Sequence, residues 1–105
     1  MEELTDFTLV GYIHDVEGVS FYAKEKSMSA GTVKGIQSIH DTLVELAPFI
    51  KTEKDVKRLQ LEMGILIDEL KETCRNSDER GALAKMRIVR DKVNILKAVL
   101  SKQSQ

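Results

Sequence analysis

Residues 52–102 read TEKDVKRLQLEMGILIDELKETCRNSDERGALAKMRIVRDKVNILKAVLSK, and this stretch decides the predicted fold. Apolar residues recur in it at alternating steps of three and four, which is typical of helices that keep one face against a partner helix. In the first half they are Val56, Leu59, Met63, Leu66 and Leu70. In the second half they are Ala82, Met86, Val89, Val93, Leu96 and Leu100. The pattern predicts two amphipathic helices.

Each of the two helices is preceded by residues that favour the start of a helix. Thr52 can accept a hydrogen bond from an unpaired backbone amide, and the acids at 53 and 55 suit the first turn of a helix. Ser77-Asp78-Glu79 supplies the same chemistry after the break at Asn76. A break this short forces the two helices to lie antiparallel. We therefore predict a helical hairpin, with helices over 53–75 and 78–102.

A further helix is predicted before the hairpin. Its apolar residues again follow steps of three and four, and Thr32 can cap its start. Pro48 should end it, because proline lacks a backbone N–H and disfavours helical geometry in the residue before it. The helix spans 33–47, and its apolar residues, with the corner residue that follows, are Ile36, Ile39, Leu43, Leu46 and Ile50.

The N-terminal segment, residues 4–24, has two interpretations. Phe7, Tyr12, Val19 and neighbouring β-branched residues favour strands, and residues 15–18 (DVEG) fit a type I turn, so a β-hairpin is predicted. The alternative is a short extra helix, from residue 3 to 17, capped by Gly18. The expected fold is mainly α, an antiparallel hairpin within a three-helix bundle. One domain covers 1–105, comprising the N-terminal segment 1–26 and the bundle 32–102.

Composition restricts the class of protein. The chain has 105 residues, a net charge of −1, 42% hydrophobic and 31% charged residues, which is typical of a folded chain and not of a disordered one. No apolar run approaches the length of a membrane span, so no membrane partner is expected. A single cysteine, Cys74, excludes a disulfide within one chain and favours a reducing, cytoplasmic location.

The hairpin carries more apolar residues than two facing helices need. Two helices that face only each other require one apolar stripe each, and each of these has nearly two. The surplus predicts a contact with a second copy of the chain, as a homodimer or higher oligomer, and with another protein. The predicted interface residues are Leu61, Ile65, Ile88, Ile95 and Val99.

A second hypothesis uses the basic residues of the last helix. Such residues could contact nucleic acid, and the Ser/Gly-rich residues 27–35 before a helix could hold a phosphorylated ligand. The full phosphate-loop spacing is absent, and the basic residues are spread around the helix. The candidate residues are Thr32, Lys34, Arg80, Lys85, Arg87, Arg90 and Lys92.

No catalytic, metal or cofactor site is predicted. The two histidines, His14 and His40, have no second ligand at metal-binding spacing. Cys74 lies on an apolar stripe and is expected to be a small buried residue rather than a nucleophile. The nearby carboxylates Asp68 and Glu72 are expected on a solvated helix face. We therefore expect a non-enzymatic interaction or regulatory module that acts as a helical oligomer.

Overall fold

The computed structural model of the chain describes the backbone of residues 2–103 and the side chains of residues 8–102. That part of the chain is almost entirely helical and contains no strand. A single 3₁₀ turn, Ala47–Phe49, separates the second helix from the third. The α-helices are α1 (Glu2–Glu25), α2 (Ala30–Glu45), α3 (Glu53–Arg75) and α4 (Glu79–Gln103).

The four helices form a bundle in which each helix packs against two others. α1 packs on α2 and α3, and α4 packs on α2 and α3, so α1 lies diagonally across from α4. The hairpins α1–α2 and α3–α4 are antiparallel because short loops join their helices. Across the hairpins the neighbours run parallel: the first turns of α2 and α4 meet, and Glu45 at the end of α2 pairs with Lys97 in the second half of α4. The bundle therefore has an α3/α4 face and, on its opposite side, an α1/α2 face.

The core runs along the axis of the bundle and receives side chains from every helix. Each fully buried large aliphatic side chain contributes about 1.5–3 kcal/mol relative to an exposed one. Two buried residues are polar, Ser20 and Thr32, and no buried side-chain nitrogen or oxygen in the described part lacks a hydrogen-bond partner. The largest fully buried residues are Ile36, Ile39, Leu43, Leu46, Leu59, Met63, Ile67, Leu70, Leu100, Val16, Val19 and Val89.

The predicted N-terminal β-hairpin is wrong, because residues 2–25 form one continuous helix. Helix α1 also runs through Gly18, where the alternative interpretation ended it. Its buried residues Leu9, Val16, Val19 and Ala23 recur at helical spacing, so packing against α2 and α3 outweighs the strand preference of its side chains. The three-helix bundle is thus a four-helix bundle.

The predicted hairpin 53–75 and 78–102 is confirmed to within one residue. Thr52 caps α3 in a capping box: its hydroxyl accepts the Asp55 amide at 3.1 Å, and the Asp55 carboxylate accepts the Thr52 amide at 3.1 Å. Asp78, rather than Ser77, caps α4, since its carboxylate accepts the Gly81 amide at 2.9 Å. Ser77 instead takes a left-handed conformation with φ 60°.

Both hairpin loops begin with the same turn. Ser27 has φ 58° and Ser77 has φ 60°, and in each case the amide of the next residue donates to a carbonyl five residues earlier. These bonds, from Met28 to Ala23 and from Asp78 to Thr73, are both 2.9 Å long and are those of a Schellman motif. Glycine usually holds the left-handed position of this motif, and serine accepts it at some energetic cost.

Helix α2 begins earlier than predicted. It starts at Ala30 instead of residue 33, and its N-cap is Ser29, whose hydroxyl accepts the Thr32 amide at 3.3 Å. Thr32 therefore lies inside the first turn, with its side chain buried. Pro48 ends the helix as predicted and forms part of the 3₁₀ turn.

Two glycines mark close contacts between helices. The terminal methyl of Met86 on α4 occupies the space that a side chain at Gly35 on α2 would fill. A side chain at Gly64 on α3 would lie 3.3 Å from the hydroxyl of Tyr12 on α1. By contrast, nothing lies within 4 Å of a side chain added at Gly11 or Gly18.

Candidate functional site

Four of the five predicted interface residues are exposed on α3 and α4. Leu61 is 82% exposed, Ile65 74%, Ile95 60% and Ile88 42%, whereas Val99 is half-buried. Even four helices thus leave these side chains uncovered. Monomeric proteins commonly expose single apolar residues. Several exposed apolar residues on neighbouring helices indicate an interaction surface more strongly than a single one does.

Helical geometry explains why these residues point outward. Successive residues turn by about 100°, so Leu61 and Ile65 lie opposite the buried stripe that contains Leu59, Met63 and Ile67. Ile88 and Ile95 lie seven positions apart on the flank of α4 that faces α3. Ile65, Ile88 and Ile95 therefore share the α3/α4 face, and Leu61 lies at its edge.

Ion pairs cross the α3/α4 face between these apolar residues. The ammonium of Lys85 lies 3.1 Å from a carboxylate oxygen of Glu69, and that of Lys92 lies 3.6 Å from one of Glu62. A groove of about 190 Å³ opens beside the second pair. It is lined by Arg58, Glu62, Lys92, Ile95, Leu96 and Val99. The face combines aliphatic side chains with charges of both signs, as protein interfaces do.

The predicted nucleic-acid residues of α4 form two groups, lysines that contact α3 and arginines that do not. Lys85 and Lys92 contact carboxylates of α3, which reduces the positive charge that they offer a ligand. Arg80, Arg87 and Arg90 are exposed and form no ion pair within the described part of the chain. They recur at steps of seven and three, so they share one side of α4; Asp91 follows Arg90, and the chain as a whole has a net charge of −1 rather than the strong positive charge typical of nucleic-acid binding. Lys34, on α2, is exposed as well.

The start of α2, which was predicted to hold an anion, already holds a carboxylate of the chain. One carboxylate oxygen of Glu79 accepts the Ser29 amide at 2.8 Å and the Thr32 hydroxyl at 2.7 Å. These hydrogen bonds, from Ser29 first and then Thr32, lower the pKa of Glu79. A phosphate would have to displace this group. The sequence offered no signal for the contact, because about fifty residues separate its partners.

Both histidines meet at one carboxylate, which the sequence did not predict. A single Glu17 oxygen lies 3.6 Å from His14 Nδ1 and 3.5 Å from His40 Nε2. Asp41 lies 3.3 Å from the other His40 ring nitrogen. The cluster forms because α1 is a helix, which brings positions 14 and 17 onto one side facing α2. Across residues 8–102 no group of three histidine, cysteine, aspartate or glutamate side chains is arranged to hold a metal ion.

The remaining candidates have structural surroundings. Cys74 is fully buried, and burial raises the pKa of its thiol, so the reactive thiolate is disfavoured. Burial, and then the charges of Asp68 and Asp15, raise the pKa of Tyr12 where α1 meets α3. Asp68 and Glu72 are exposed, as expected. None of the helices, as far as the chain is described, is long and apolar enough to cross a membrane.

Comparisons of the chain with models of protein families, with curated proteins and with solved structures found no match.

Proposed function

We propose that this chain is a non-enzymatic protein–protein interaction module that assembles with a second copy of itself through the α3/α4 face. The observation that carries the proposal is the exposure of Leu61, Ile65, Ile88 and Ile95 on neighbouring helices. Covering such side chains removes apolar area from water and favours association by about 25 cal/mol per Å². A regulatory role through a further protein partner would use the same face.

Charge on the face supports a protein partner over nucleic acid. The two ion pairs, Lys85 with Glu69 and Lys92 with Glu62, leave the face with balanced charge, whereas nucleic acid requires unpaired bases that release counterions. Binding of nucleic acid through Arg80, Arg87 and Arg90 is the alternative outcome of the test. A cytoplasmic location belongs to the proposal too, because the single thiol is buried and unpaired.

The test is the mass of the protein in solution, measured by light scattering after size-exclusion chromatography over a range of concentrations. We expect the wild type to assemble into a dimer or larger species. The paired substitution Ile88→Asp with Ile95→Asp should lower the mass, and so should Leu61→Asp with Ile65→Asp. Helical content by circular dichroism should change little, because all four side chains lie outside the core.

A matched control comes from the α1/α2 face. Phe21 on α1 is 62% exposed and Val44 on α2 is 46% exposed, so Phe21→Asp with Val44→Asp adds the same two charges at comparable exposure. This control should assemble like the wild type. A wild type that remains monomeric at every concentration would contradict the proposal, and steeply salt-dependent binding of DNA or RNA by that monomer would favour the alternative.

A further inference from the structure

The outward side of α3 is divided into three zones of different chemistry. Its first turns carry the bases Lys54, Lys57 and Arg58, its middle carries the apolar pair Leu61 and Ile65, and its last turns carry acids. The acids are Asp68, Glu69 and Glu72; Glu69 pairs with Lys85 of α4, and Glu72 lies 3.5 Å from Arg75 of the same helix. The side chains of the three zones are exposed except Arg58, which is half-buried.

Position 63 is the centre of this layout. Lys54 and Glu72 lie nine residues on either side of it, and Leu61 and Ile65 lie two residues on either side. Positions 54 and 72 are eighteen residues apart, which is five full turns, so those two charges project from the same side of the helix. Two such helices laid antiparallel would place each base opposite an acid and each Leu61 opposite an Ile65. Laid parallel, they would place like charges together.

The other charges agree with the same centre. Lys57 and Asp68 are eleven residues apart and lie on the side of α3 toward α1, and Arg58 and Glu69, also eleven apart, lie on the side toward α4. A twofold axis perpendicular to the helix keeps each pair on its own side. It therefore matches Lys57 with Asp68, and Arg58 with Glu69, across two copies.

Helix α4 shares this centre independently. The Lys92–Glu62 and Lys85–Glu69 pairs fix which residues of the two helices stand at the same level, and they place position 63 beside position 91. Ile88 lies three residues before position 91 and Ile95 four residues after it. The axis that matches Leu61 with Ile65 thus also brings Ile88 opposite Ile95.

The available area is sufficient for a stable dimer. Helix α3 has 23 residues, which corresponds to a length of about 34 Å. Two adjacent helices present a width of roughly 20 Å, so the face offers on the order of 700 Å² per copy. Standard interfaces bury about 800 Å² per partner.

We infer that two copies of this chain dock with their α3/α4 faces together, antiparallel, about a twofold axis perpendicular to the helices at the level of Met63. Leu61 contacts Ile65 of the second copy, Ile88 contacts its Ile95, and Lys54 faces its Glu72. Lys57 and Asp68, on the side of α3 toward α1, lie at the rim of the contact. The inference rests on the proposed function and adds the orientation and register of the contact.

Charge reversal tests the register. The basic-zone variant is Lys54→Glu with Lys57→Glu, and the acidic-zone variant is Asp68→Lys with Glu72→Lys. Each variant leaves one sign of charge predominant at both ends of the outward side of α3, so each alone should dimerise with a dissociation constant raised by about tenfold or more at low salt. An equimolar mixture of the two should recover wild-type affinity as a heterodimer. Sedimentation velocity measures all three samples.

The outcomes separate this inference from the proposed function. Lys26→Glu with Lys34→Glu, a double reversal outside the α3/α4 face, is the control and should dimerise like the wild type. If each α3 variant also dimerises like the wild type, or if mixing fails to restore affinity, the register is wrong. The proposed function would survive that result provided that Leu61→Asp with Ile65→Asp still lowers the mass. A monomeric wild type would overturn both.

Discussion

The two faces of helix α3 carry the same kinds of side chain in opposite surroundings. Leu59, Met63 and Ile67 on the inward face are fully buried, whereas Leu61 and Ile65 on the outward face are 82% and 74% exposed. The inward residues are explained by the fold, because they fill the core between α1 and α4. The outward residues add little to the stability of one chain, since polar residues such as Gln form helices as readily. The difference shows that the fold requires only one of the two apolar stripes.

The largest effect should come from the inward face. Leu59→Ala removes a fully buried side chain and leaves a cavity among packed helices, so the free energy of unfolding should fall by about 2–5 kcal/mol. Urea denaturation followed by circular dichroism measures it. A loss below about 1 kcal/mol would indicate that the core rearranges around position 59.

A smaller effect is expected at the polar contact that joins the starts of α2 and α4. Hydrogen bonds hold the pKa of Glu79 below its ordinary value of 4.5. The lowered pKa means that ionised Glu79 stabilises the fold above about pH 5, and that this contribution is lost as the pH falls through the pKa in the folded state. Glu79→Gln should therefore reduce the free energy of unfolding at pH 7. Between about pH 5 and pH 3 the variant should lose less stability than the wild type does.

Denaturation at several pH values measures that change. Glu25→Gln is the matched control, because Glu25 is an exposed acid at the end of α1. If both variants show the same dependence on pH as the wild type, Glu79 does not hold the first turn of α2.

Replacing Gly18 and Gly64 by alanine should change the free energy of unfolding in different ways. Gly18 lies in the middle of α1 with nothing near a new side chain, so Gly18→Ala should raise the free energy of unfolding by roughly 0.5–1 kcal/mol. Gly64→Ala presses on the Tyr12 hydroxyl, so it should gain less than Gly18→Ala or lose stability. Thermal denaturation of both variants gives the comparison, and an equal gain at the two sites would contradict the close contact at Gly64.

The smallest effect on the folded chain should come from the outward face. Leu61→Gln removes an exposed side chain, so the unfolding free energy of the monomer should change by no more than about 0.5 kcal/mol. The measurement must be made below the dissociation constant of any dimer, because association stabilises the folded state by mass action. A loss of 2 kcal/mol or more for the monomer would mean that Leu61 belongs to the core.

The sequence predicted the α3–α4 hairpin well and the N-terminal segment badly. The hairpin has a strict apolar period and matching caps at Thr52 and Asp78, so local and long-range preferences agree. Residues 4–24 mix strand-favouring side chains with two glycines, and the choice of helix depends on burial of Val16 and Val19 against α2 and α3. Such tertiary packing cannot be read from local preference.

The apolar spacing of the hairpin helices also predicted part of the candidate surface. Surplus apolar residues at helical spacing identify Leu61, Ile65, Ile88 and Ile95 before any neighbour is known. The sequence could not show that Val99 is less exposed than these four residues, because its half-burial depends on how α4 packs against α3. The contacts of Glu79 with α2 and of Glu17 with both histidines join helices whose arrangement only the fold defines.

The contact between Gly35 and Met86 has an evolutionary consequence. The methyl of Met86 takes the volume in front of position 35, so the two positions share one space between α2 and α4. In diverged sequences of this fold they should covary, with a larger residue at 35 accompanied by a shorter one at 86. That exchange would also replace a glycine inside α2, so evolution could strengthen this helix without altering the volume enclosed by the bundle.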